Sequence, residues 1–342
     1  MSPTVLVVGG AGYIGSHTCK LLAMRGVRPV AFDDLSTGHA SFVRWGPLIR
    51  GNILDREAIE RACKEWQVGS VIHFAACAYV GESVVDPAKY YQNNVAGTLA
   101  LLEGMRRANV FHIVFSSTCA VYGQPEQIPI SESAPVNPIN PYGASKLMVE
   151  RILADYALAY GLNWTALRYF NACGADLDGE LGELRDPETH LIPRAYMALQ
   201  GYIEDFQVFG SDYPTADGTA IRDYIHVVDL AQAHKDALDA LWAGSPSGPM
   251  NLGVGKGYSV KEVLDRISAM TGRNLPNATG PRRLGDAAVL IAEASLAARR
   301  IGFRPRHSDL DTILATAWTW HQKAHPARNR RAGEGTGVTR EN

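Results

Sequence analysis

Three glycines behind the first apolar run constrain this chain more than any other feature. The run Val5-Leu-Val-Val8 leads directly into Gly9-Gly-Ala-Gly-Tyr-Ile-Gly15. A strand that stops at such glycines and restarts as a helix makes a tight turn. It also brings backbone N–H groups to the mouth of the turn and lets helix pack closely on strand. The partial positive charge of the helix N-terminus then favours phosphate. Asp33 stands 18 residues beyond Gly15, at the end of the second run Pro29-Val-Ala-Phe32. A carboxylate there accepts hydrogen bonds from ribose hydroxyls and repels a 2′-phosphate. Gly9, Gly12, Gly15 and Asp33 together predict a dinucleotide site that holds NAD rather than NADP.

The runs Val71-Ile-His-Phe74, Ile113-Val-Phe115 and Trp164-Thr-Ala-Leu167 continue the pattern, alternating with helix-period segments. Ile59, Ala62, Cys63 and Trp66 recur at i, i+3, i+4 and i+7, and Val95, Leu99, Leu102 and Met105 keep a helical period at i, i+4, i+7 and i+10. Strands alternating with amphipathic helices predict an α/β fold, a Rossmann-type doubly wound parallel sheet. After about Asn171 the alternation breaks into stretches rich in Gly, Pro and Asp, with local helices such as the one around Arg194 to Leu199. The expected organisation is a dinucleotide-binding domain, mainly residues 1–171. A smaller C-terminal α/β substrate-binding domain, mainly 172–322, follows, some of its segments returning to the first sheet. Residues 323–342, with several Arg and almost no large apolar side chain, read as a disordered tail.

Composition removes several alternatives. A net charge of −2 gives no reason to expect a nucleic-acid or acidic-membrane partner. No run of 18 apolar residues exists, and Met-Ser-Pro-Thr precedes the first strand, so neither a membrane span nor a secretory signal is read and a cytoplasmic protein is expected. The five cysteines, Cys19, Cys63, Cys77, Cys119 and Cys173, are scattered without a C-x-x-C pair, which points to buried free thiols and to no metal site. His73, His112 and His226 read as structural histidines.

The spacing G-x-x-G-x-x-G resembles the short-chain dehydrogenase/reductase superfamily in its extended branch. That resemblance demands a Tyr-x-x-x-Lys with a hydroxyl residue upstream, and Tyr142-Gly-Ala-Ser-Lys146 meets it after Asn140-Pro141. The spacing puts both side chains on one helical face. A free phenol titrates near 10 and is a poor base at neutral pH, whereas positive charge from Lys146 and an oxidised nicotinamide would lower it. Lowering it to about 7 corresponds to roughly 4 kcal/mol in favour of the phenolate. Upstream, Ser116-Ser117-Thr118 ends the strand at the edge where such folds bind ligands, and Thr118 is placed to hydrogen-bond the reacting oxygen. Ser116 and Ser117 have an alternative reading as hydroxyls bonded to local backbone.

Over about residues 4 to 310 the chain resembles UDP-galactose 4-epimerases. The likeness rests on GGAGYIGSHT (9–18), VIHFAACAYVGESV (71–84), YYQNNVAGTL (90–99), FSSTCAVYG (115–123), PYGASKLMVE (141–150), RYFN (168–171) and FGSDYPTADGTAIRDYIHV (209–227). Related dehydratases and decarboxylases carry an acidic residue shortly after the catalytic hydroxyl. Cys119 and Ala120 fill those places here, which favours epimerisation. The resemblance implies Tyr142, Lys146 and Thr118 as catalytic residues. For NAD it implies contacts from Gly9, Gly12, Tyr13, Ile14, Gly15, Asp33, Asp34, Asn52, Ile53, Phe74, Ala75, Ala76, Asn93, Ser116, Ser117, Tyr142, Lys146 and Tyr169. For a UDP sugar it implies Thr118, Tyr142, Asn171, His190, Leu191, Val208, Phe209, Arg222, Arg283 and Asp286. A guanidinium forks bidentately onto a diphosphate, which suits the two arginines.

Four positions depart from the pattern. Ala78 stands where many relatives have Lys, Asn52 where an Asp is common, and His190 where Asn often contacts substrate. Leu290 is intermediate in size at a position implied to govern whether an N-acetylated sugar fits. The implied activity is NAD-dependent interconversion of UDP-galactose and UDP-glucose through a 4-keto sugar. Alternatives are a 4-epimerase of a UDP-N-acetyl sugar, UDP-glucuronate or UDP-xylose, an enzyme that stops at the keto stage as an oxidoreductase, and a non-catalytic NAD-sensing protein. A homodimer through the helix around Val95–Met105 and the helix after Tyr142 is also implied.

Overall fold

The computed structural model describes residues 3–275, 278–283 and 285–325. The first half alternates as its sequence pattern requires. Strand β1 (Thr4–Val8) is followed by α1 (Tyr13–Met24), β2 (Arg28–Asp33), β3 (Leu48–Arg50), α2 (Arg56–Glu65) and β4 (Val68–His73). Two short helices, α3 (Val80–Val85) and α4 (Pro87–Tyr90), lead through a π-helical stretch, Tyr91–Ala96, into α5 (Gly97–Arg107). Then come β5 (His112–Thr118), α6 (Pro141–Tyr160) and β6 (Asn163–Tyr169). The second half contains β7 (Asn171–Cys173), α7 (Leu191–Leu199), β8 (Gln207–Phe209), β9 (Ile221–His226) and α8 (Val227–Trp242). It continues with β10 (Gly248–Leu252), β11 (Gly257–Ser259), α9 (Val260–Thr271), β12 (Ala278–Gly280), β13 (Val289–Leu290), α10 (Ser295–Ile301) and α11 (Leu310–Ala324).

Seven parallel strands form the main sheet in the order β10-β6-β5-β4-β1-β2-β3. Side chains alternate across each strand. Leu6 and Val8 join Ile59, Leu101, Met105, Val149 and Leu153 in a core under α2, α5 and α6. Val5 and Val7 join Leu22, Leu230, Leu238 and Met250 in a core on the opposite face, with α1 and α8. Both layers follow from strand residues that are apolar at consecutive positions, each fully buried large side chain contributing about 1.5–3 kcal/mol. The short strands β3 and β10 escape the sequence reading: three residues are too few to show a period, and Gly248-Pro-Met-Asn-Leu252 has the composition of a turn. A smaller sheet gathers β7, β11 and β13 around β9, and a third core, with Ile192, Tyr196, Ile267 and Leu314, binds α7, α9 and α11 to it.

Two expectations change. The stripe Val95, Leu99, Leu102, Met105 does not all face inward: Leu99 is 39% exposed, whereas Leu101 and Leu102 are buried. The π-helical turns over 91–96 carry an extra residue per turn and rotate the phase of the helix that follows. The tail expected from Lys323 starts inside α11, which runs through Ala324; residues 326–342 lie outside the described residues. Among the described residues, no helix is long and apolar enough to cross a membrane.

Candidate active site

The chain leaves β1 outward to β2 and β3, then crosses back to β4, so the order reverses between β1 and β4. In such sheets ligands bind outside the carboxyl ends of the strands at this switch point. The Gly9–Gly15 loop, Phe74–Ala76 and Ser116–Thr118 all leave strands there. The Phe74 and Ala75 N–H groups both donate to the Val8 carbonyl, at 2.7 and 3.0 Å, which binds two of these segments together.

The glycines of the loop do different work. A Cβ on Gly15 would lie 2.1 Å from the Gly9 carbonyl oxygen, so close helix packing alone requires glycine. At Gly12 the nearest protein atom would stand at 3.4 Å, so packing makes no such demand. Gly12 is the N-cap of α1 without a side-chain cap bond, and Gly9, Gly12 and Ile14 are partly exposed in a loop whose other residues are buried. An open, uncapped helix N-terminus suits a phosphate. Tyr13 is buried beside it, its hydroxyl donating to the Gly174 carbonyl at 2.6 Å.

Asp33 is 9% exposed, and burial raises its pKa. One carboxylate oxygen accepts from the Ala11 N–H and the other from the Leu35 N–H, both at 2.9 Å. Asp33 thus orders the glycine loop, with lone pairs left for ribose hydroxyls. Asp34 accepts from Asn52 Nδ2 at 3.3 Å on the exposed rim. Ile53 points into the core, where it prevents any side chain at Gly97. Phe74 packs against His234 with ring centroids 4.6 Å apart and the ring planes tilted by 50°. Asn93 is half-buried and donates to Asn94 at 3.0 Å. Asn94 in turn pairs with both the N–H and the carbonyl of Cys77 and donates to Ser145, joining the loop after β4 to α6. Nothing in the sequence distinguishes Asn94 from its neighbour Asn93.

Helix α6 starts sharply because the Asn140 side chain caps the Gly143 N–H at 2.8 Å and Pro141 occupies the first turn. Tyr142, Lys146 and Glu150 follow at four-residue intervals on one face. Lys146 is 2% exposed and donates to the Ser116 carbonyl at 2.8 Å, and burial lowers its pKa to about 7. Tyr142 is half-buried, with Lys146 Nζ 6.0 Å from its ring centroid. Loss of hydration pushes its phenol up to about 12, opposed by a hydrogen bond from Thr118 and by the charge of Arg185. In the protein alone, burial of the phenol outweighs these lowering influences, whereas the sequence expectation joins Lys146 to an oxidised nicotinamide.

Ser116 and Thr118 face the cleft while Ser117 faces α6. The Ser116 hydroxyl is bonded to the Tyr169 hydroxyl. Ser117 donates to Glu150 at 2.5 Å, and Arg168 pairs with the same carboxylate, both ion-pair side chains only 5% exposed. The Ser117 side chain is therefore committed to the scaffold, and strand alternation explains why. Arg168 also donates to Tyr122, which donates to Asn251 on β10. Glu150 could have been found from its spacing to Lys146; its pairing with Arg168 could not.

The residues implied for the sugar nucleotide form a second group at the same mouth. Arg222, on β9, is ion-paired with Asp286, and its register partner is Leu290. Arg283 lies over the Phe209 ring at 4.5 Å and donates to the Thr189 carbonyl at 3.4 Å, beside His190 at the start of α7. Leu191 opens α7, Val208 lies half-buried on β8 next to Phe209, and Asn171 on β7 is the register partner of Tyr224 on β9. Partial burial and the neighbouring Arg194 and Arg222 lower the Arg283 pKa, against Asp286, which raises it. Several guanidiniums gathered in this way suit an anionic diphosphate. Leu290 packs on the cluster that includes Cys119, next to Thr118, which links the two groups.

His190 Nδ1 lies 3.2 Å from Glu183 and 3.0 Å from Glu188. A second acidic group, Asp176, Asp178 and Glu180, surrounds the Lys20 ammonium at 2.8 Å each. Ala76 and Ala78 line the loop after β4, Ala78 exposed. All five cysteines are free, four of them buried and Cys77 half-exposed.

Residues 5–253 match the NAD dependent epimerase/dehydratase family. UDP-glucose 4-epimerase of Rhizobium meliloti (strain 1021) is 50% identical over 319 residues, covering 93% of this chain and 97% of the relative. The crystal structure of UDP-glucose 4-epimerase from Brucella ovis in complex with NAD is 55% identical, with a TM-score of 0.90 over 93% of this chain and 98% of that one. The enzyme from Stenotrophomonas maltophila, with bound NAD and formylated UDP-arabinopyranose, is 41% identical with a TM-score of 0.90, covering 94% of this chain and 98% of that chain. The match spans the strands and loops that build the cleft, and the chain belongs to the NAD dependent epimerase/dehydratase family.

Proposed function

We propose that this chain interconverts UDP-glucose and UDP-galactose by epimerisation at C4, with NAD held in the cleft after β1. One observation supports the reading: Thr118 hydrogen-bonds Tyr142, Lys146 lies on the same helix face, and the charge of Arg222 reaches the neighbouring Cys119. When bound, NAD supplies the acceptor and donor for the hydrogen that leaves and rejoins the sugar C4. Tyr142 takes the proton of the 4-hydroxyl and returns it, the oxygen being held between Tyr142 and Thr118. Lys146, with one donor on Ser116, has others free for the ribose. Arg222 and Arg283 grip the diphosphate and Phe209 borders the base, so the sugar can turn over while the nucleotide stays anchored.

An assay over a panel of UDP sugars, on protein as purified and without added NAD, tests this. Turnover of UDP-galactose and release of NAD from denatured protein are the expected results. Preference for a UDP-N-acetyl sugar, UDP-glucuronate or UDP-xylose would transfer the reading to that substrate past Leu290. Absence of turnover on every sugar by NAD-loaded protein would favour a binding protein instead.

We also propose a homodimer. Tyr91, Leu99 and Met148 are exposed on the neighbouring 91–107 and α6 helices, at 36%, 39% and 46%. Contiguous apolar side chains on adjacent helices are the material of an isologous interface.

A further inference from the structure

One half-buried cation near the reaction centre has no part in the scheme above. Arg185 lies in the loop before α7, its side chain 22% exposed. Its Nε donates to Glu183 at 2.9 Å, and its guanidinium lies 5.8 Å from the Tyr79 ring centroid while also hydrogen-bonding that residue. Tyr79 is fixed in turn: its hydroxyl donates to the Pro187 carbonyl at 3.1 Å and its N–H to the Tyr90 hydroxyl at 2.9 Å. The Tyr90 ring meets Tyr142 edge-on with centroids 6.5 Å apart. Contacts thus run without a gap from Arg185 through Tyr79 and Tyr90 to Tyr142.

The ion pair has a direction. The charge of Arg185 acts on Tyr142 and Tyr169 without an opposing share from Glu183, whereas of the two Glu183 alone acts on Cys173 and both act on Tyr13. The groups facing Tyr142 are Thr118 and Cys119 from the end of β5, Lys146 from its own helix, Tyr90, Tyr169 on β6 and Arg185. Around Arg185 stand Glu183, Glu188 and Tyr79, and His190 touches both carboxylates. Lys146, buried and weakly basic, is a poor permanent charge. A guanidinium stays charged at every working pH.

We propose that Arg185 is a positioning residue for the proton transfer: held inward by Glu183 and Tyr79, it supplies the fixed positive charge that favours the ionised form of Tyr142. This rests on the epimerase reading for its purpose, but its test does not. The ionisation of Tyr142 is followed in the NAD-loaded protein as the ultraviolet difference titration between wild type and Tyr142→Phe, then repeated in three backgrounds. In Arg185→Gln the midpoint should rise by roughly half to one pH unit, and the acid limb of the kcat profile should move the same way. Arg185→Lys should restore most of the shift. The pair removed as a unit, Glu183→Gln with Arg185→Gln, should still raise the midpoint, because the positive end is the nearer one. A midpoint unchanged in Arg185→Gln, or one displaced equally by Arg185→Lys, overturns the proposal, the second result marking a purely structural role. A wild type with no epimerase activity but with the expected titration shifts would overturn the epimerase reading alone.

Discussion

Tyr142 and Gly12 show how far single residues depend on what surrounds them. With its phenol pushed up to about 12 by burial, Tyr142 is a phenol at neutral pH until further positive charge arrives. Tyr142→Phe keeps the ring and removes only the proton-transferring oxygen. Epimerisation should fall by about 10²-fold or more while NAD content stays at the wild-type level; near-normal turnover would remove Tyr142 from the mechanism. The glycine loop makes a paired prediction. Gly15→Ala forces a methyl group to 2.1 Å from the Gly9 carbonyl and should lower stability by about 1–3 kcal/mol in denaturant unfolding. Gly12→Ala meets only an ordinary contact at 3.4 Å, so it should fold normally and release NAD. Equal losses of stability in the two variants would show that the loop is shaped by packing rather than by its ligand.

At the scale of elements, α6 presents its catalytic face through a buried ion pair. Glu150 accepts from Ser117 on β5 and pairs with Arg168 on β6, so one carboxylate locks the helix to two strands. Such a pair adds little over an apolar one of the same shape, but removing one member leaves an uncompensated buried charge. Glu150→Gln should therefore cost about 3–5 kcal/mol in unfolding free energy. Proline at the helix start and Asn140 as its cap were readable in advance. The phase of α5 was not: the π-helical turns ahead of it carry Asn93 and Asn94 toward the cleft loop and rotate Leu99 outward. Leu99→Glu with Met148→Glu should convert a dimer into folded monomers in sedimentation equilibrium, and an unchanged mass would place the interface elsewhere.

Across the whole molecule, five histidines are buried in the neutral form. His17, His226, His234 and His321 have pKa values lowered to about 4 and His73 to about 3, in each case chiefly by burial. In the unfolded chain each takes up its proton near 6.5. Between these limits the unfolded state binds more protons, so stability is full above about pH 6.5 and falls as the pH drops toward 4. Each histidine contributes roughly 3 kcal/mol to that loss. Thermal melts should show Tm declining continuously below about pH 6, with the protein unfolded near pH 4. A Tm that is flat from pH 7 to 4.5 would show that the histidines are protonated in the folded state.

The division between sequence and tertiary structure follows the range of the interactions involved. Contacts within a strand, a turn or one helix face are written in neighbouring residues, so the strand–glycine–helix unit, Asp33 at the second strand end, and Tyr142 with Lys146 were all legible in order along the chain. So was the parallel sheet, because its strands carry consecutive apolar residues. The sequence could not reveal that Ser117 turns away from the cleft onto Glu150, since the partner lies 33 positions away. Nor could it reveal that Arg222 and Leu290 are register partners or that the charge of Arg185 reaches Tyr142. Those depend on which long-range segments close over the switch point. Burial, a property of the closed cleft, decided a further matter that spacing cannot express: in the protein alone it drives the phenol of Tyr142 up and the ammonium of Lys146 down.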